Sequence, residues 1–249
     1  MEDALCLTAT QFDPTQEPSM HGFKTSVLAV ALAAFGATAD AAVLSLTKLS
    51  GLTGGADAGT AVYSADLSGL GLTSILSIDI TDASSGLGGA TGQFSGFDLD
   101  AIKLSTTSCT TATCAASATS IGVFDFGAGT SFVAGTQRAP ADPKLFGTEA
   151  TGTDVNDAVA TLGAFDAANS TITPFGFISM GDNGRLIFNL TASVSTAGLY
   201  LYIGEVGDNG EVAASSFVVR DTVTNVPLPS TLALFGAALV GIAGLRRRA

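Results

Sequence analysis

Side chains able to carry out chemistry are scarce here, and the gaps narrow the field. The single histidine is His21, which falls in a stretch with the pattern of an export signal, so the exported domain has none. Without imidazole there is no Ser-His-Asp or Cys-His nucleophile and no histidine-ligated zinc. Gly-x-Gly matches arise by chance among 30 glycines, and no Gly-Lys-Ser/Thr phosphate loop occurs. No catalytic, cofactor-binding or metal-ligating residue is assigned, and the chain is not expected to be an enzyme.

What remains is sulfur, carboxylate and tyrosine. Cys109 and Cys114 lie in Ser108-Cys-Thr-Thr-Ala-Thr-Cys. In an oxidising compartment they are expected to form a disulfide closing a small hairpin loop. The spacing is not the Cys-x-x-Cys of a redox pair. Asp98 and Asp100 are two residues apart on a predicted strand, roughly 7 Å by strand rise. Asp154, Asn156 and Asp157 cluster in a loop, and Asp182 and Asp208 sit in turns. Such oxygens suit calcium, but no Asp-x-Asp-x-Asp-Gly loop is present, and solvated turn and edge acids are the plainer expectation. Paired carboxylates also serve glycoside hydrolysis. Sugar clefts are usually lined by large aromatics, however, and the chain has no Trp and only Tyr63, Tyr200 and Tyr202. Tyr200 and Tyr202 share a strand face and are the candidates for stacking a sugar ring.

The elements that must position these groups are short. Charged residues make up 13% of the 249, too few to give long soluble helices a polar face. Runs bounded by Gly, Asp, Asn and Ser predict strands at Val43–Leu49, Thr60–Leu67, Ser74–Ile80, Phe97–Leu104, Ile121–Phe126, Phe175–Met180, Arg185–Thr191, Leu199–Val206 and Ser216–Arg220. Phe97 and Leu99 fall out of phase with Ile102 and Leu104, which predicts a bulge near Ala101. Gly181-Asp-Asn-Gly and Gly207-Asp-Asn-Gly are identical, and Asn-Gly favours type I′ hairpin turns. They predict that Phe175–Met180 pairs with Arg185–Thr191, and Leu199–Val206 with Glu211–Arg220. A short helix is expected from Asp154. The fold class is therefore all-β, an antiparallel β-sandwich of jelly-roll type.

Net charge is −12 overall, and residues 42–225 alone hold seventeen acids against six bases. Such a surface repels phosphate, so no nucleic-acid partner is expected.

Both ends read as addresses. From Met20, Lys24 supplies a positive region, Val27–Phe35 an apolar one, and Ala37-Thr-Ala39 or Ala39-Asp-Ala41 a small-x-small cleavage site. This is a signal peptide over 20–41, with a signal helix that is cleaved. It implies the secretion translocon and signal peptidase as partners. Residues 1–19 carry acids and no base, and are expected to be a misassigned start or a disordered extension. Residues 42–224 form the exported domain. In 225–249, Val226-Pro227-Leu228-Pro229-Ser230-Thr231 leads into the uncharged Leu232–Leu245 and then Arg246, Arg247 and Arg248. Fourteen residues reach about 21 Å and twenty about 30 Å, so 232–245 with its apolar lead-in predicts a transmembrane helix. The arginines stop it and stay cytoplasmic.

This tripartite tail resembles the PEP-CTERM sorting signal of Gram-negative bacteria. The resemblance implies recognition by exosortase and a place at the cell surface or in the extracellular matrix, often beside exopolysaccharide. Leu228 stands where the family has glutamate between the prolines, so sorting is better supported than cutting, and the tail would otherwise act as a plain anchor. Leu228-Pro-Ser-Thr231 is also similar to the sortase motif Leu-Pro-x-Thr-Gly, but Leu232 replaces the glycine. The expectation is an exported, non-enzymatic surface or matrix protein. The alternatives are a carbohydrate-binding module, calcium-assisted, and, further behind, a carboxylate-based glycoside hydrolase.

Overall fold

The structure, a computed structural model, describes residues 40–55, 59–83, 86, 88, 90–168 and 174–225. The signal segment up to residue 39, the motif Val226–Thr231, the 232–245 span and Arg246–Arg248 lie outside the described residues. Among those described, ten strands form two five-stranded antiparallel sheets. One sheet runs β1 (Ala41–Val43), β10 (Ser215–Arg220), β4 (Ser74–Asp82), β8 (Arg185–Ser195), β6 (Thr130–Val133). The other runs β2 (Thr47–Lys48), β3 (Thr60–Asp66), β9 (Tyr200–Val206), β5 (Asp98–Ser105), β7 (Ile178–Ser179).

Alternating side chains press the sheets together. Ile78, Ile80, Leu186, Phe188, Phe217 and Val219 from the first sheet meet Leu99, Ile102, Leu104, Leu201 and Ile203 from the second in one buried cluster. Fully burying such a side chain is worth about 1.5–3 kcal/mol. The β5–β9 register shifts between Leu99 and Ile102, so the predicted bulge is present and brings both halves of the strand's apolar set onto the core.

The second sheet is also covered on its outer face. Val62, Ala101 and Tyr202 pack under Cys109, Ala112, Ala115 and Phe165. Ala167, Phe177 and Val206 pack with Phe94 and Phe146. A strand buried on both faces has no solvent side, and this decides the fate of the acids on β5.

The two identical turns do not make hairpins. Ile178 and Ser179 pair with Leu99 and Asp98, while β8 pairs with β4 and β6 in the other sheet. Likewise β9 pairs with β3 and β5, and β10 with β1 and β4. Each turn is a corner where the chain changes sheets. A type I′ turn needs positive φ at both Asn and Gly. In the first turn φ is positive at Gly181 and Asn183, in the second at Gly207, Asp208 and Gly210. The same four residues thus take two conformations, each set by the sheet the chain must reach.

Other expectations fail for local reasons. Val43–Leu49 splits into β1 and β2, one at the edge of each sheet, with Leu44 buried where the chain crosses. Ile121–Phe126 is not a strand: the Val123 amide turns back to the Ile121 carbonyl at 2.8 Å, a γ-turn that removes a donor from any ladder. Its rings still anchor it, Phe124 and Phe126 both standing edge-on to Phe188. The strand Thr130–Val133 replaces it on β8. The expected helix from Asp154 is a single turn, α2 (Asp157–Ala160), capped by the Asn156 side chain on the Val159 amide. The cysteine loop holds a short helix, α1 (Ala112–Ser117), capped by Thr111, where a hairpin loop was expected.

Candidate functional site

Cys109 and Cys114 are bonded, with Cα atoms 5.6 Å apart. The loop they close is pinned from below. The Tyr202 hydroxyl donates to the Thr107 carbonyl at 2.5 Å and accepts from the Cys109 amide at 3.0 Å. Lys103 is buried and donates to the carbonyls of Ala115, Ala116 and Ala118 at the end of α1, where the helix dipole favours a cation. Its ammonium also lies 5.2 Å from the centre of the Phe165 ring, and burial draws its pKa down.

These contacts correct the sugar-stacking expectation. Tyr202 is 0% exposed, its ring roofed by the disulfide loop, and burial pushes its phenol up. Tyr200 is half-buried and stacks on it at 6.5 Å. The pair is a support for the cysteine loop, because the outer face of this sheet is covered.

The acids expected in solvent divide into two groups. Those in turns serve the backbone or make ion pairs. Asp154 accepts from the Thr153 hydroxyl, Asn156 caps α2 and Asp157 begins it. Asp208 pairs with Lys48, and Asp182 takes Nε and a terminal nitrogen of Arg138 at 3.0 and 2.7 Å. They are not brought together. Among the described residues, no group of three or more His, Cys, Asp or Glu is arranged to hold a metal ion.

The second group is buried, against expectation. Asp100 accepts from the Asp166 and Ala167 amides at 3.2 Å each. The Thr60 hydroxyl also pulls its pKa down, but burial outweighs these contacts and lifts it to about 7. Asp98 lies in a different setting, at the end of the sandwich where β4 and β9 finish and β5 and β10 begin. There Asp82, Asp98, Glu205 and Glu211 are all buried. The Glu211 carboxylate accepts from the Asp98 amide at 3.0 Å, and the Glu211 amide donates to Glu205 at 2.6 Å. Burial, then the charge of Asp98, lifts Glu211 to about 9. Burial also raises Asp98, against the pull of Ser179 and Arg138. Sequence reasoning missed Glu205 and Glu211. The signal was available in Leu201, Ile203 and Glu205, where an acid continues an inward-facing period-two pattern.

A cleft of about 590 Å³ is lined by Gln93, Asp142, Lys144, Glu149 and Asn156, with Pro143 and Ala150. Several of its groups are already used: Asp142 accepts from the Gln93 amide, Lys144 donates to the Thr148 carbonyl, and Asn156 caps α2. No described helix is long and apolar enough to cross a membrane.

None of these geometries defines a reaction, and the address on the chain is the more specific feature. Residues 225–248 match the PEP-CTERM protein-sorting motif. That motif implies export, membrane-associated sorting by exosortase, and an extracellular or surface destination. No curated protein and no solved structure matches the chain.

Proposed function

We propose that the protein is a non-enzymatic component of the cell surface or extracellular matrix. It is exported through an N-terminal signal, sorted at the membrane by exosortase, and works alongside exopolysaccharide. The sorting motif at residues 225–248 carries this reading. The disulfide supports it, since such bonds persist in oxidising compartments. So does the absence of histidine after His21. Consecutive strands from β3 to β10 change sheets at every step, a wrapping like that of jelly rolls. This gives a sturdy, compact body suited to display.

The test is the protein's location in cells with and without exosortase. With the enzyme it reaches the surface or the medium, and without it the chain stays at the inner membrane. The Leu228→Glu variant, which restores the family's acid between the prolines, raises the released fraction. A distribution that ignores exosortase would contradict the proposal.

A further inference from the structure

The chain does not leave the body where its last strand ends. β10 finishes at Arg220. The Asp221 amide then donates to the Asp40 carbonyl, and Asp221 Oδ1 accepts from the Asp40 amide, beside β1. From there residues 222–224 turn back over the outer face of the same sheet. Arg220, Ser77 and Asn189 stand side by side in register on β10, β4 and β8, and the returning segment crosses that row. Ser77 and Asn189 face away from the core, because their neighbours Ile78 and Phe188 are in it.

These two side chains grip the segment. The Ser77 hydroxyl donates to the Thr222 carbonyl at 2.7 Å and lies 2.8 Å from the Thr224 hydroxyl. A hydroxyl has one proton to give, so Thr224 is the donor in the second contact. The Asn189 side chain takes both backbone groups of Thr224. Its Oδ1 accepts from the Thr224 amide at 2.8 Å, and its Nδ2 donates to the Thr224 carbonyl at 3.1 Å. One side-chain amide thus offers the donor and acceptor that a neighbouring strand would. Residues 222–224 belong to no strand or helix, yet Ser77 beneath them is fully buried.

The sorting motif follows at once. Its match starts at residue 225. Val226 is two residues beyond Thr224, about 7 Å of extended chain. A domain of this length has a radius of gyration of about 16 Å. An enzyme that reads a linear motif takes it as extended chain, so a body this near obstructs its approach. Releasing the grip moves the anchor back to Asp221. Val226 is five residues beyond Asp221, roughly 17 Å.

Given sorting by exosortase as proposed above, we propose that Ser77 and Asn189 form a clasp that governs access to the sorting signal. Shut, it holds the start of the motif against the body and slows sorting. Open, it frees residues 222–224 as a spacer, and the membrane enzyme engages. Both side chains are positioning residues and touch no reacting group.

Pulse-labelling of the full chain in cells with and without exosortase tests this, by following transfer from the inner membrane to the surface or the medium. Asn189→Ala removes two hydrogen bonds and should speed exosortase-dependent transfer about tenfold. Inserting Gly-Ser-Gly-Ser between Asn225 and Val226 should speed it as much with the clasp intact, and Asn189→Ala should then add nothing. A destabilised body would not behave so. The insertion alters no residue of the body, so it stands as a test where Asn189→Ala misfolds. Hydrogen exchange should find the Thr224 amide protected in the wild type and open in Asn189→Ala, with the β8 amides protected in both. Wild-type transfer that ignores exosortase overturns the sorting reading, and the clasp with it. Exosortase-dependent transfer that neither change speeds overturns the clasp alone. So does an unprotected Thr224 amide in the wild type, or a gain from Asn189→Ala that the inserted spacer does not abolish.

Discussion

Asp100 shows what a single covered carboxylate does to the pH response. Its Oδ1 accepts two amides, but burial outweighs these contacts and lifts its pKa to about 7. A raised acid contributes stability that is full below the unfolded pKa, near 4, and is lost as pH rises through the folded value. Asp98 and Glu211 are raised too, Glu211 to about 9. The melting temperature should therefore fall between pH 5 and pH 8, the reverse of a domain held by exposed ion pairs. Asp100→Asn keeps the Oδ1 acceptor and never ionises. It should match or exceed the wild type at pH 8 and lose its advantage at pH 5, as read by thermal melts. A wild type that melts higher at pH 8 than at pH 5 would contradict this. The same residue marks a limit of sequence reading. Asp98 and Asp100 alternate with Leu99, which looks like a solvent face opposite a core face. Burial of that second face under Phe165 and the 166–168 segment depends on residues far along the chain.

At the scale of elements, the corners carry the lesson. Most strands were legible because period-two burial leaves its trace in the sequence, and the bulge at Leu99/Ile102 was legible because the apolar phase slips there. Pairing was not legible. Gly181-Asp-Asn-Gly and Gly207-Asp-Asn-Gly carry the same local preference, yet each lies at a crossing between sheets, and tertiary context settles its backbone. Asn183 has φ 64°, whereas Asn209 is not in the left-handed region. Placing a Cβ residue without Asn's local hydrogen bonding there costs about 1 kcal/mol or more. Asn183→Ala should lose about that much stability in urea melts, and Asn209→Ala close to nothing. Equal losses would show that the two corners are conformationally alike in solution. The cysteine loop was legible as a bond but not in its support, because Tyr202 and Lys103 reach it from β9 and β5.

For the whole molecule, the address was the plainest feature to read, since sorting signals are recognised as linear chain and need no fold to be legible. The acidic body was legible as exported but not in purpose, and its chemistry points inward, to a disulfide support and a cluster of buried acids. The two ends also bear on each other. The Asp40 amide lies 3.0 Å from Asp221 Oδ1, and the Asp221 amide returns to the Asp40 carbonyl. Ala41 pairs with Arg220 in β1. Cleavage behind Ala39 keeps this strand whole and turns the Asp40 nitrogen into an ammonium facing a carboxylate. Cleavage behind Ala41 removes both contacts. Intact-mass analysis of the protein from the envelope and the medium tests the central claim of export most directly. The account predicts a chain that begins at Asp40 with Cys109 and Cys114 oxidised. A cytoplasmic chain that retains residues 20–39 and two free thiols would contradict it.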